Sequence, residues 1–121
     1  GYDHNGTAGA PADPSFWQSD LRDLYTRIAL LLSYRCIPYV MRFAGYAASP
    51  YAGVYVQLAR WSNQPAFVKK KTFVEFCHLH KNGSATMRAL ELLKADLPDV
   101  YEAFSTLRFG EPFQPLANSP L

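Results

Sequence analysis

A run of apolar residues with no polar face follows the first predicted helix of this chain. It reads Cys-Ile-Pro-Tyr-Val-Met-Arg-Phe over residues 36–43, and apolar side chains fall on both odd and even positions. Such two-sided apolarity is typical of a strand buried within a parallel sheet. The pattern therefore predicts a strand over about residues 37–43. Pro38 has no amide hydrogen to donate to a neighbouring strand, which leaves open a strand that begins only near Tyr39.

An amphipathic helix is predicted immediately before this strand. Asp13 and Pro14 form a helix start, because aspartate is a favoured N-cap and proline costs nothing at the first helical position. Apolar residues then recur at three- and four-residue steps as far as Ser33: Trp17, Leu21, Leu24, Ile28, Leu31 and Leu32. A helix joined by a tight link to a buried strand is the second half of a βαβ unit. Only Gly1-Tyr2 remain of a first strand, so we expect the missing strands on a preceding stretch of chain or on a partner.

Further helices are predicted from apolar spacing and capping signals. Thr72 and Glu75 match a capping box, and Ser84 is expected to cap the next helix. The stretch between residues 67 and 72 is compatible with either a turn or a short strand. These further helices are expected over residues 51–62 and 72–80, from Ser84 onward, and from Pro98 onward.

The predicted fold class is α/β, a helix-rich fragment of a partial β/α barrel with one strong parallel-type strand and four to five helices. The 121 residues suffice for one core, so a single domain or fragment is expected. Its parts are a loop over residues 1–13 after a truncated strand, a body over 14–109 and an irregular tail over 110–121.

Charge and cysteine usage exclude several classes of protein. The formal charge of +2 is too small to indicate nucleic acid or an anionic membrane by itself. The longest apolar run is far short of the roughly 20 residues that cross a bilayer. Cys36 and Cys77 lie far apart among apolar neighbours, as buried free thiols do. A cytoplasmic protein is therefore predicted.

Polar side chains next to the predicted strand ends form a first candidate site. Ligands of open α/β sheets bind beyond the carboxyl ends of the strands. Asp3, Asn5 and Arg42 would lie on one rim if both strands belonged to one parallel sheet. The alternative for residues 3–5 is a loop of turn-forming side chains.

A second candidate site lies where the second helix ends. Residues 60–64 combine hydrogen-bonding side chains with an aromatic ring that can stack, although an aromatic at helical spacing before a polar stop is more often core plus cap. The candidate recognition residues are Tyr46, Arg60, Trp61, Asn63 and Gln64.

Two shorter motifs have both a functional and a structural interpretation. The run Lys69–Lys71, between Phe67 and Phe73, is a candidate contact for phosphate or single-stranded nucleic acid, but three lysines are more often a solvated face. The Cys-His-x-His sequence at residues 77–80 contains metal-binding residue types. Its histidines are two positions apart, which turns them to different sides of a helix, so no metal ligand is predicted.

Several segments together resemble the C-terminal part of radical SAM proteins, in an uncharacterised bacterial and phage-type branch. The resemblance covers about residues 1–76, through loose motifs at 1–3, 27–31, 38–42, 59–63 and 68–76. It implies a partial β/α barrel whose strand ends face S-adenosylmethionine and an iron-sulfur cluster, with contacts from Asp3, Asn5 and Arg42. The cluster cysteines, spaced C-x-x-x-C-x-x-C, do not occur in this chain, so the resemblance implies a segment that is inactive by itself.

Two functions of different classes follow. The first is a C-terminal barrel segment of a radical SAM-type enzyme, completed by the remainder of its barrel or by a partner chain. The second is a free-standing helical module that binds nucleic acid or protein through Lys69–Lys71 and exposed Tyr or Trp side chains. The first predicts a large apolar face where neighbouring strands belong, and the second predicts helices that close around the strand.

Overall fold

A computed structural model describes residues 14–38 and 49–116 of this chain. About two thirds of these residues are helical, and no β-strand occurs among them. The helices within the described ranges are α1 (Pro14–Ser33), α2 (Ala52–Ser62), α3 (Pro65–Val68), α4 (Phe73–Cys77), α5 (Ala85–Asp96) and α6 (Pro98–Thr106).

The prediction of an α/β fold with a partial β/α barrel is therefore wrong. Of the predicted strand at 37–43, Ile37 and Pro38 are described and neither is in a strand, while residues 39–43 lie outside the described ranges. A short apolar run does not by itself distinguish a buried strand from other buried segments. The described helices bury their apolar faces on one another instead of on a sheet.

Helix α1 has the bounds predicted from its capping and its periodicity, Pro14 to Ser33. Trp17, Leu21 and Leu32 are fully buried. Leu31 was expected on the same stripe but is 41% exposed, because it lies at the edge of the buried face. The apolar stripe thus places α1 correctly, with one residue at its margin misassigned.

A left-handed residue ends α1. The Arg35 N–H donates to the Leu32 carbonyl at 3.0 Å and the Cys36 N–H to the Leu31 carbonyl at 2.9 Å, which is the Schellman arrangement. Arg35 has φ of +60°, a conformation that costs a residue with a Cβ about 1–2 kcal/mol. The chain therefore turns sharply away from α1 at some cost in backbone strain.

Aromatic rings from distant parts of the chain form the centre of the core. The Trp61 ring lies 5.7 Å from Phe73 and 6.1 Å from Phe104, and Tyr25 meets Phe104 edge-on at 5.0 Å. Each such pair contributes about 0.5–1.5 kcal/mol beyond the burial of its area. These contacts join α1, α2, α4 and α6 into one core.

The capping signals predicted at Thr72 and Ser84 are confirmed, while Asp13, the predicted cap of α1, lies outside the described residues. The Thr72 hydroxyl accepts from the Glu75 N–H at 3.1 Å, and the Glu75 carboxylate accepts from the Thr72 N–H at 3.0 Å. The Ser84 hydroxyl accepts from the Met87 N–H at the start of α5. Helix α4 ends at Cys77, three residues earlier than predicted.

Residues 67–72, which the sequence left undecided between a turn and a short strand, begin within a helix. Pro65 opens the one-turn helix α3, and two turns continue it, with the Lys70 N–H and the Lys71 N–H both donating to the Phe67 carbonyl. Proline suits the first helical position, which explains the start.

The tail is irregular over the described residues 110–116, as predicted, but it is docked on the helices. The Gly110 N–H donates to the Leu32 carbonyl at 2.8 Å, and the Tyr25 hydroxyl donates to the Gln114 carbonyl at 3.1 Å. Gly110 has φ of +84°, which favours glycine. The side chain of Leu116 is buried, so the tail adds to the core.

Candidate functional site

The structure describes half of the candidate site residues. Four lie outside the described ranges, so the predicted ligand rim and its cofactor contacts stay a prediction; they are Asp3, Asn5, Arg42 and Tyr46. The other four lie together at the end of α2 and before α3; they are Arg60, Trp61, Asn63 and Gln64.

Trp61 belongs to the core. Its side chain is fully buried, and its indole N–H donates to the Lys71 carbonyl at 2.9 Å. A partner at the surface does not reach this ring, so the core interpretation holds for Trp61. Its hydrogen bond ties the lysine-bearing turn to the end of α2.

Asn63 and Gln64 form the junction between two helices. The Asn63 N–H donates to the Ala59 carbonyl at 3.0 Å and closes α2. Gln64 is the extended N-cap residue of α3, and its side chain is exposed. Both residues shape the corner, and only Gln64 presents a largely exposed side chain to solvent.

Arg60 is exposed, as Gln64 is, and two buried side chains hold it in place. Its Nη1 donates to the Gln57 Oε1 at 2.8 Å and to the Thr86 Oγ1 at 3.4 Å. The Thr86 hydroxyl donates to the same Gln57 oxygen at 3.0 Å, which links α2 to α5. The guanidinium lies over the Phe76 ring, 5.8 Å from its centroid, within the range of a cation–π contact.

Two further rings meet Phe76. Phe67 lies 4.9 Å and His80 lies 5.3 Å from it, centroid to centroid, and both are half-buried while Phe76 is buried. We call Arg60, Phe67, Phe76 and His80 the arginine–aromatic cluster. Sequence reasoning missed the contribution of His80, because only the folded α3–α4 segment brings its ring beside the ring of Phe76.

The lysine run lies on the turns after α3. Lys69 and Lys70 are exposed, and the Lys69 ammonium lies 5.6 Å from the centre of the Phe109 ring. Phe73, which was expected to flank the run as an accessible aromatic, is buried in the core. The partly exposed aromatic rings near the lysines are therefore those of Phe67 and Phe109.

The segment from residue 60 to residue 88 carries an excess of positive charge. Between residues 60 and 88 the chain carries six Lys and Arg residues and a single acidic residue, Glu75. We call the six cations the basic corner. They are Arg60, Lys69, Lys70, Lys71, Lys81 and Arg88.

The one carboxylate of this region is already paired. Arg108 and Glu75 form an ion pair at 2.7 Å, and the hydrogen bond from Arg108 lowers the pKa of that carboxyl. The other ion pair among the described residues joins Arg22 to Asp99 at 2.9 Å. No cation of the basic corner forms an ion pair with a carboxylate within the described ranges. Lys71 interacts with Glu75 through its charge but forms no ion pair with it, so most of the positive charge of the corner lacks a carboxylate partner.

The two cysteines differ in their surroundings. Cys77 is buried, as predicted, and burial raises the pKa of its thiol to about 12. Cys36 is exposed, contrary to the prediction, because the turn after α1 carries it away from the core. Three or more metal-binding side chains do not come together anywhere in residues 14–38 and 49–116.

Comparison of the chain with protein-family models, with curated proteins and with solved structures finds no match. The resemblance to radical SAM proteins therefore stays a prediction. Among the helices described, none combines the length and apolar character needed to cross a bilayer.

Proposed function

We propose that this chain is a helical module that binds nucleic acid through the basic corner. The observation that supports it is the concentration of cations in one segment. Nine Lys and Arg side chains among the described residues form no ion pair with a carboxylate, and six of them fall within residues 60–88, whose single acidic residue, Glu75, is paired with Arg108. Unpaired lysines and arginines attract a phosphate backbone, because neutralising its charges releases condensed counterions. The net charge of the whole chain obscures this, since the acidic residues lie mainly outside residues 60–88.

The local structure suits a contact with phosphates. Lys69 and Lys70 are exposed on a turn that is fixed at both ends, by the Trp61 indole bond to the Lys71 carbonyl and by the Thr72 cap of α4. A fixed turn loses less conformational entropy on binding than a mobile one. Phosphate contacts of this kind position a nucleic acid without reading its sequence.

The test compares two variants that each lose two charges. Lys69→Gln/Lys70→Gln alters the basic corner, and Arg27→Gln/Lys94→Gln is the matched control on exposed cations outside it. Binding of a fluorescent oligonucleotide is followed by anisotropy over a range of salt concentrations. Each phosphate contact to a single strand contributes about 0.7 to the slope of log affinity against log salt concentration. We therefore expect this slope to become shallower by about 1.4 for the corner variant, which loses two contacts, and to be nearly unchanged for the control.

Two results would count against this function. One is the absence of measurable binding by the unmodified chain at low salt, where electrostatic contacts are strongest. The other is an equal change in slope for both double variants, which would indicate that only the net charge matters. Binding of an acidic protein but of no oligonucleotide would assign the corner to a protein partner instead.

A second candidate function is the one that the resemblance implies, part of a radical SAM-type enzyme that contributes contacts to S-adenosylmethionine or substrate. An exposed apolar face at the end of α1 favours it, since Leu30 is 40%, Leu31 41% and Tyr34 76% exposed. Exposed apolar patches often mark surfaces that pack against another part of a protein. The test is the coding sequence upstream of residue 1: a C-x-x-x-C-x-x-C motif in the same reading frame supports this candidate, and a frame without one contradicts it.

A further inference from the structure

We infer that the basic corner prefers single-stranded over duplex nucleic acid, because Arg60 offers a pre-positioned plane on which an unpaired base can stack. The inference rests on the proposed nucleic-acid function and concerns the same site. Unpaired bases stack on aromatic rings and on guanidinium planes, whereas the bases of a duplex are already stacked on each other.

The fold holds the Arg60 side chain before any ligand arrives. Gln57 and Thr86 are buried and supply the acceptors for its Nη1, and Phe76 supports the guanidinium from the core side. A free arginine side chain loses much rotamer entropy when it is fixed by a ligand, and part of that entropy is already lost in this arrangement. A base that stacks on the guanidinium therefore gains contact without ordering a mobile side chain.

Much of the hydrogen-bonding capacity of Arg60 remains available. A guanidinium has five N–H donors, and only Nη1 donates to an acceptor within the described residues. Both acceptors are neutral, and the single carboxylate of the region, on Glu75, is bonded to Arg108. Arg60 can therefore present its charge and its remaining donors to a phosphate or a base edge.

The rings beside Phe76 extend the stacking surface. Phe67 and His80 are each half-buried, and their rings contact the same Phe76 ring over which the Arg60 guanidinium lies. Stacking on such surfaces tolerates any base, because every base has a π-face. The geometry thus favours single strands without strong sequence preference.

The experiment separates the plane of Arg60 from its charge. Arg60→Lys keeps the positive charge and removes the planar group, and Arg27→Lys is the matched control on an exposed arginine outside the basic corner. Affinities are measured for a fluorescent single strand and for the duplex of the same sequence. For Arg60→Lys we expect about a tenfold loss for the single strand, as for the loss of one stacked base, with little change for the duplex. Arg27→Lys should leave the ratio of the two affinities unchanged.

The outcomes distinguish this inference from the function on which it rests. If the unmodified chain binds neither form, the proposed function itself fails. If it binds both forms and Arg60→Lys weakens them equally, the stacking role is overturned while the nucleic-acid function stands. Thermal unfolding checks each variant, and should Arg60→Lys fail to fold, His80→Leu provides the same comparison by removing a ring of the cluster. An unchanged ratio of affinities in that variant also overturns the inference.

Discussion

The capping box of α4 allows a quantitative test of how this fold holds the basic corner. Thr72 is fully buried, and its hydroxyl accepts the Glu75 N–H at 3.1 Å. Replacing an N-cap threonine by alanine costs about 1 kcal/mol. Loss of the buried γ-methyl group adds about 1 kcal/mol from transfer and cavity terms. We therefore expect Thr72→Ala to lower the free energy of unfolding by about 2 kcal/mol.

Thr72→Ser is the matched control, because it keeps the acceptor oxygen and loses only the methyl group. Its expected cost is about 1 kcal/mol, so the difference between the two variants isolates the hydrogen bond at about 1 kcal/mol. Urea unfolding followed by the fluorescence of the buried Trp17 and Trp61 measures both values. In thermal unfolding the same difference corresponds to about 4 °C in Tm for a domain of this size.

Equal urea midpoints for the two variants, at equal m-values, would refute this reasoning. Such a result would mean that the Glu75 N–H finds another partner and that the box does not stabilise α4. If the box stabilises α4 as expected, Thr72→Ala should also weaken oligonucleotide binding, since Lys71 directly precedes the cap.

Three further predictions concern the loss of stability in acid, the reactivity of the two thiols and the docking of the tail. Burial acts to raise the pKa of Asp99, but the hydrogen bond and charge of Arg22 and the backbone N–H groups outweigh it, so the pKa is lowered from its ordinary 3.8. The ionised carboxylate therefore makes its full contribution to stability well above pH 3.8, and this contribution is lost as the pH falls through the lowered pKa of the folded state. Asp99→Asn should be less stable than the unmodified chain at neutral pH, and the two stabilities should become equal in acid. In a thiol titration with a disulfide reagent, only Cys36 should react in the native chain, with Cys77 reacting on unfolding; two fast thiols would contradict the burial of Cys77. Gly110→Ala should cost about 1–2 kcal/mol in thermal unfolding, because φ is +84° there, and an unchanged Tm would show that the tail is not held as described.

Much of the helical structure was predictable because its signals are local. Helix α1 has the predicted bounds, and the caps of α4 and α5 form the predicted hydrogen bonds. A cap and a periodic stripe act within a few residues, so the chain carries them wherever it packs. The one-turn α3 was not predicted, since a single turn has no periodicity to detect.

The fold class and the site depended on contacts between distant residues. Trp61 is core and Arg60 is surface because Phe73 and Phe104, far along the chain, pack on one side of α2. The local pattern of residues 60–64 favoured a core position for Trp61, but it did not specify which rings pack on Trp61 or which side chains hold Arg60. The same holds for Arg60 and His80, which share the Phe76 ring only in the folded chain.

The sequence by itself therefore determined, to within a residue, where five of the six described helices begin and where α1 and α2 end, because hydrogen-bonded caps and apolar periodicity are properties of neighbouring residues. Tertiary structure alone decided that these helices pack on one another and that the six cations of the basic corner are left without an ion-pair partner among the described residues. Burial and charge pairing depend on which surfaces meet in space, and a linear pattern does not specify that.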